Sequence, residues 1–221
     1  MHNGARTLVM AVALAVAGCL PQRPAPQIAS LEVGVDAPTA TDATYAVGGT
    51  CLEQLAARGA QFEQAEPFHT SRGCGIGDPV VLRTGVAEIG PGAELECEMA
   101  LKWLDFEQRV VQPLARDIFE QPVAYVHQAS DYACRVSTGN RRKLSQHSHG
   151  LALDVTGFEL PDGHIATIEN DYYADTREGE FIRAVAEKAC AYFSVVLTPN
   201  SDRYHYNHFH FDIGDSGICS L

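Results

Sequence analysis

Hydrophobic positions along the chain change their period several times. Cys97, Leu101, Leu104, Val111, Leu114 and Ile118 recur roughly every 3.6 residues, which predicts a long amphipathic helix over 97–119. Pro113 lacks an N–H and is expected to kink or divide it. CLEQLAAR followed by Gly59 predicts a short helix over 51–58, and Asp175-x-x-Glu178 has the form of a capping box opening a helix to about residue 192. Residues 73–79 (GCGIGDP) read as a loop. β-type runs fall at 79–82, 123–127, 151–158, 165–168, 194–197 and 209–213, with Pro161-Asp162-Gly163 as a turn between two of them. This pattern predicts an α+β domain over 51–221, built on a mainly antiparallel sheet with flanking helices. Residues 20–50 are rich in Pro, Ala, Thr and Val without sustained periodicity and read as a flexible tether. No internal repeat is visible.

Composition narrows the function. The formal charge is −12, from 28 acids against 16 bases, and the longest basic run is Arg141-Arg142-Lys143. A nucleic-acid partner would need a basic stripe, so that class is excluded. The run 141–143 reads as a solvated loop; contact with an anionic wall polymer is the other reading. Two counts stand out: seven cysteines, and seven of nine histidines between His127 and His210.

The N-terminal segment has Arg6 and an apolar run over 8–17, too short to span a bilayer but proportioned as a secretory signal over 1–18. Val16-Ala17-Gly18-Cys19 resembles the bacterial lipobox, in which the cysteine is diacylated and becomes the new N-terminus. The alternative is ordinary cleavage nearby, with Cys19 an incidental thiol. Lipidation implies a membrane anchor through Cys19. Leu20, standing where an inner-membrane retention signal would place Asp, favours the outer membrane of a Gram-negative envelope, facing the periplasm. Six cysteines remain, Cys51, Cys74, Cys97, Cys134, Cys190 and Cys219, and an even number in an exported chain suggests three disulfides of open connectivity. No C-x2–4-C pair supports a thiolate zinc site.

The histidines carry the chemistry. Residues 145–154 read SQHSHGLALD, with His147 and Asp154 flanking Gly150, where a loop can turn into a strand. Residues 204–212 read YHYNHFHFD, and in a strand His208 and His210 share a face. One imidazole can then ligate a metal while its neighbour stands beside an open coordination position. Such a His/Asp/His set is the catalytic form of a zinc centre. The two strings resemble the S-x-H-x-x-G-x-A-x-D and H-x-H motifs of the zinc D-Ala-D-Ala carboxypeptidases, dipeptidases and murein endopeptidases. A closer likeness covers nearly the whole domain: CLEQLAARG, GCGI, CEMA, YACR and NHFHFDI resemble the extensin-like C-terminal domain family. The resemblance implies a hedgehog/DD-peptidase type of fold, Zn2+ as cofactor, ligands His147, Asp154 and His210, and peptidoglycan peptides as substrate. His127, His149 and His164 match no ligand position and are expected at the surface or behind the ligands, His127 near enough to a strand end to line a cleft.

Hydrolysis needs a base for the attacking water. The D-Ala-D-Ala peptidases place an acid three positions before the last ligand; here that position is Asn207, a carboxamide that cannot act as a base. The H-x-H endopeptidases use the first histidine as proton shuttle, which implies His208 here, with His205 a second candidate. Arg135 is similar to a dipeptidase arginine that stabilises an oxyanion or binds a carboxylate; the other reading is a surface arginine beside a disulfide. Ser145 reads as a hydrogen bonder behind the ligands, since no G-x-S-x-G signature accompanies it. Two functions follow: a zinc-dependent peptidase of the cell wall, or a lipoprotein that keeps the fold and zinc only to bind wall peptide.

Overall fold

The computed structural model describes residues 49–221; the expected signal over 1–18, the lipidation site Cys19 and the tether up to residue 48 lie outside the described residues. Helix α1 (Cys51–Ala57) opens on a capping box, in which the Thr50 hydroxyl accepts from Glu53 N–H at 3.3 Å and the Glu53 carboxylate accepts from Thr50 N–H at 2.7 Å. Strand β1 (Gln61–Gln64) follows, then the two-stranded pair β2 (Phe68–His69) and β3 (Gly75–Ile76). Next come β4 (Pro79–Thr84), β5 (Glu88–Glu96), helices α2 (Cys97–Phe106) and α3 (Gln112–Phe119), and β6 (Tyr125–Ser130). The second half holds β7 (Ala152–Glu159), β8 (Ile165–Thr167), α4 (Ile168–Asp171), α5 (Arg177–Ala189), β9 (Val195–Leu197), β10 (Phe209–Asp212) and β11 (Ile218–Ser220).

The main sheet runs β1-β4-β5-β6-β7-β10-β9-β11, with β8 also paired to β7. The domain is α+β as predicted, but the sheet is mixed: β5 with β6 and β9 with β11 run parallel. The first parallel pair follows from α2 and α3, which carry the chain back across the sheet as a crossover connection. Strand β5 is absent from the predicted pattern, and Gly90-Pro91-Gly92 interrupts its run of strand-forming residues. Those residues fall where the β4–β5 register shifts, at a bulge that needs no N–H from Pro91.

The helix predicted over 97–119 is continuous but not uniformly α: residues Glu107–Val111 form a π turn between α2 and α3. There Gln112 N–H bonds the Glu107 carbonyl, five residues back, just ahead of Pro113. The wider turn accommodates a ring that can neither donate nor pack against an ordinary α turn. The cap of α5 also differs from expectation. The Thr176 hydroxyl accepts from Gly179 N–H, so the helix begins one residue later than the Asp175 motif predicts and ends at Ala189. Glu178 turns instead to His164, 2.9 Å away.

One face of the sheet packs on the helices. Leu153 and Val155 from β7 and Phe209 and Phe211 from β10 point into a core with Trp103, Phe106, Phe181 and Val185. Phe211 lies against Phe193 at 4.8 Å and Phe106 at 5.8 Å between ring centroids. Each such ring contributes about 1.5–3 kcal/mol by burial. All six cysteines of the domain pair: Cys51–Cys97, Cys74–Cys134 and Cys190–Cys219.

A carboxylate sits among the apolar side chains of the core. Glu107, fully buried, accepts from Ala87 N–H at 2.6 Å and Val86 N–H at 2.9 Å, with Gln112 Nε2 at 3.3 Å. Burial pushes its carboxyl up, and these N–H donors pull against that shift. Glu107→Ala strips two backbone donors of their acceptor in a dry site. We expect a loss of about 2–4 kcal/mol in urea unfolding, with the native fold retained.

Candidate metal centre

Residues 209–212 alternate, so while Phe209 and Phe211 enter the core, His210 and Asp212 face the other side of the sheet. On the neighbouring strand β7, Asp154 is the register partner of His210. A 3-10 turn over Gln146–His149 brings His147 above the same point and ends at Gly150 with φ 66°. A side chain at Gly150 would meet Glu96 N at 2.6 Å and Ile76 Cδ1 at 2.7 Å, so glycine is required for both conformation and space.

His147 Nε2, Asp154 and His210 Nδ1 therefore converge. The nitrogens are 3.1 Å apart, with Asp154 Oδ2 3.2 Å from His147 and Oδ1 2.9 Å from His210. The three residues are almost wholly buried. Donors around a tetrahedral zinc at ~2.0–2.1 Å stand about 3.3 Å from one another, close to this triangle.

The outer bonds set which atoms face inward. His147 Nδ1 lies 2.6 Å from the Asp131 carbonyl, which can only accept, so that nitrogen carries the proton. In the neutral ring Nε2 then presents a lone pair to the Asp154 carboxylate, acceptor against acceptor. Only a proton or a cation bridges such a pair. His210 is held likewise, its Nε2 donating to Asp212 Oδ2 at 2.9 Å and leaving Nδ1 for the centre. Histidine ligands are ordinarily oriented by such outer acceptors, and these residues fit a zinc ion.

Electrostatics follow the geometry. Burial would raise the Asp154 carboxyl, but hydrogen bonds and charge from His147 and His210 hold it far below the usual carboxylate range. Burial disfavours charge on His210 too, yet the bonds to Asp154 and Asp212 push it up to about 9. His208 shifts down, burial outweighing the attraction of Asp154.

The other expected residues gather nearby. His208 Nε2 is 3.8 Å from Asp154 Oδ1, and its Nδ1 donates to Asn207 Oδ1 at 3.0 Å. Arg135 reaches to 3.9 Å from Asp154 Oδ2 with its side chain 42% exposed. The His205 ring lies 5.1 Å from that of His208 and bonds Asp202. Ser145 is buried and acts through its backbone, its N–H donating to the Arg135 carbonyl. His127 pairs with Glu159 at 2.9 Å, and His149 is half-buried. Cys51, Asp78 and Cys97 also lie within metal-binding distance of one another, but those cysteines are joined in a disulfide.

Three contributors escaped the sequence reading: Asp212, the Asp131 carbonyl and Ser148. Period two from His208 through His210 points to Asp212. The buried Ser148 hydroxyl accepts Arg135 N–H at 3.0 Å and lies 2.7 Å from the Arg135 carbonyl, fixing the 131–135 wall.

A buried, pre-oriented His/Asp/His cluster lies on the open face of an α+β sheet, its three ligand-type atoms close enough together that they could hold a cation. The chain belongs to the extensin-like protein C-terminus family, whose model matches residues 49–220. No curated protein and no solved structure matches it.

Asp212→Ala removes the acceptor behind His210 while leaving all three inner residues. Zinc affinity, measured by competition with a chromophoric chelator, should fall about 10–100-fold.

Proposed function

We propose that the protein is a zinc-dependent peptidase acting on peptidoglycan stem or cross-link peptides. In this reading it is an envelope lipoprotein held through Cys19, and its domain extends the family likeness to the zinc D-Ala-D-Ala peptidase type. The observation that carries the proposal is the outer bonding of the cluster: Asp131 and Asp212 turn one free nitrogen of each ligand histidine onto the Asp154 carboxylate.

His147, Asp154 and His210 hold the metal. Bound there, zinc supplies a Lewis acid for an amide carbonyl and acidifies water. His208 supplies the proton transfer. Its Nδ1–H is committed to Asn207, so Nε2 is the atom that takes a proton from water and returns it to the leaving amine. Asn207 thereby orients the base in the position where an acid would itself have been one. Arg135, half-exposed beside Asp154, offers its guanidinium to a developing oxyanion or a substrate carboxylate.

Asn207 also favours a second reading, a wall-binding lipoprotein with zinc in a supporting role. The two separate on one preparation. A peptidase releases new amino groups from purified sacculi over hours, whereas a binder co-sediments and releases none. For the peptidase, His147→Ala and His210→Ala lose zinc and cleavage together. His208→Ala keeps zinc and loses about 10²–10⁴-fold in rate. Full cleavage by a zinc-free His210→Ala protein would overturn the mechanism.

A further inference from the structure

Strand β7 changes partners along its length. Val155 and the residues before it pair with β10, whereas Gly157 and those after it pair with β8. On its other edge the β6 register skips a residue at the same point, His127 facing Gly157 and Gln128 facing Val155. Thr156 is thus the extra residue of a bulge, without a register partner on either side. Bulges re-aim side chains beside functional sites. This one opens a cavity of about 230 Å³ whose walls include His127, Thr156, Thr167, Glu169, Asn170 and Asn207.

The cavity adjoins the metal centre through two residues. Asn207 lines it and also accepts from His208, and Thr156 is two positions along β7 from Asp154. Its size suits one side chain rather than a whole ligand, since small-molecule sites span roughly 300–1,000 Å³. Its lining combines acceptors with the apolar Ile165 and the Asn207 amide, whose oxygen is already taken by His208. Glu169 supplies an exposed carboxylate, and no lysine or arginine is among the lining residues. The His127 ring is tied to Glu159, so that pair adds no net positive charge. Asp171 lies behind Thr167, accepting its N–H at 2.7 Å. The Asn170 amide donates to the Thr167 hydroxyl, which leaves its carbonyl oxygen for a donor.

From this lining we infer that the bulge cavity is a side-chain subsite for a primary ammonium group on the peptide bound at the metal centre. The inference rests on the peptide-binding part of the proposed function. Arg135 approaches Asp154 Oδ2, whereas His208, which Asn207 links to the cavity, approaches Oδ1, so in this reading the bound peptide presents a cation to the cavity and an anion to Arg135.

The test uses isotopically labelled full chain with zinc supplied, titrated by NMR with Nα-acetyl-lysine amide and Nα-acetyl-norleucine amide. These probes differ at the ammonium group. The lysine probe should shift the amide signals of Thr156, Gly157, Thr167 and Asn170 and bind about tenfold tighter than norleucine. Glu169→Gln, at an exposed position, should remove most of that preference, and Glu169→Lys should abolish it. Equal affinity for the two probes, or shifts absent from these four residues, overturns the subsite. No bond is cleaved in this measurement. A protein that prefers lysine yet releases nothing from sacculi therefore refutes the peptidase and keeps the subsite, and an active peptidase indifferent to the ammonium does the reverse.

Discussion

The register of β10 against β7 governs everything on the open face. Phe209 and Phe211 can enter the core only if His210 and Asp212 turn away from it, and Leu153 and Val155 impose the same choice on Asp154. A slip of one residue would expose two phenylalanines and bury two charged groups among them, so the core itself enforces the alignment. Directly opposed side chains on neighbouring strands stand about 4.5–5.5 Å apart at Cβ, which leaves an imidazole and a carboxylate no option but to meet. Aromatic burial thus sets the position of the polar cluster without touching it.

That cluster would be a poor way to gain stability. Taking a carboxylate and two imidazoles out of water costs more than their mutual contacts return unless every remaining lone pair and proton is matched. Here the matching is done one layer further out, by a backbone carbonyl for His147 and by Asp212 for His210, with Asp212 in turn accepting from Gly214 N–H at 2.9 Å. Apart from Glu107 in the core, the buried carboxylates and imidazoles of the described residues gather at one point, on the face the helices do not cover. Structural stability has its own sources, in the aromatic core and in three cross-links.

How much of this was legible in the sequence depended on whether the information lay in residue types or in backbone atoms. That His147, Asp154 and His210 meet could be read because their types and spacing match a ligand pattern, and Gly150 because a left-handed turn against Glu96 tolerates nothing else. Thr176 took the cap expected of Asp175, since either side chain can accept and only the final fold of the preceding turn decides. Strand β5 hid behind Gly90-Pro91-Gly92, whose local preference for a turn is satisfied by a bulge within a longer strand. The short edge strands β1 and β11 have too few residues for a period to emerge. The carbonyl of Asp131 could not be read at all, because any residue there presents the same oxygen.

The segment 131–135 holds its place without a regular strand pairing over its length. It is fastened by the Cys74–Cys134 link to the 73–76 region, by the Ser148 hydroxyl and by backbone bonds such as Ala133 N–H to the His147 carbonyl. Yet it supplies the acceptor that orients His147 and the guanidinium that lies beside Asp154. Two kinds of order therefore coexist in one domain. The helix-backed core is ordered by the exclusion of water and answers to heat and denaturant. The 131–135 wall is ordered in part by a covalent bond that electrons can open, which ties the placement of the Asp131 carbonyl and Arg135 to an oxidising environment.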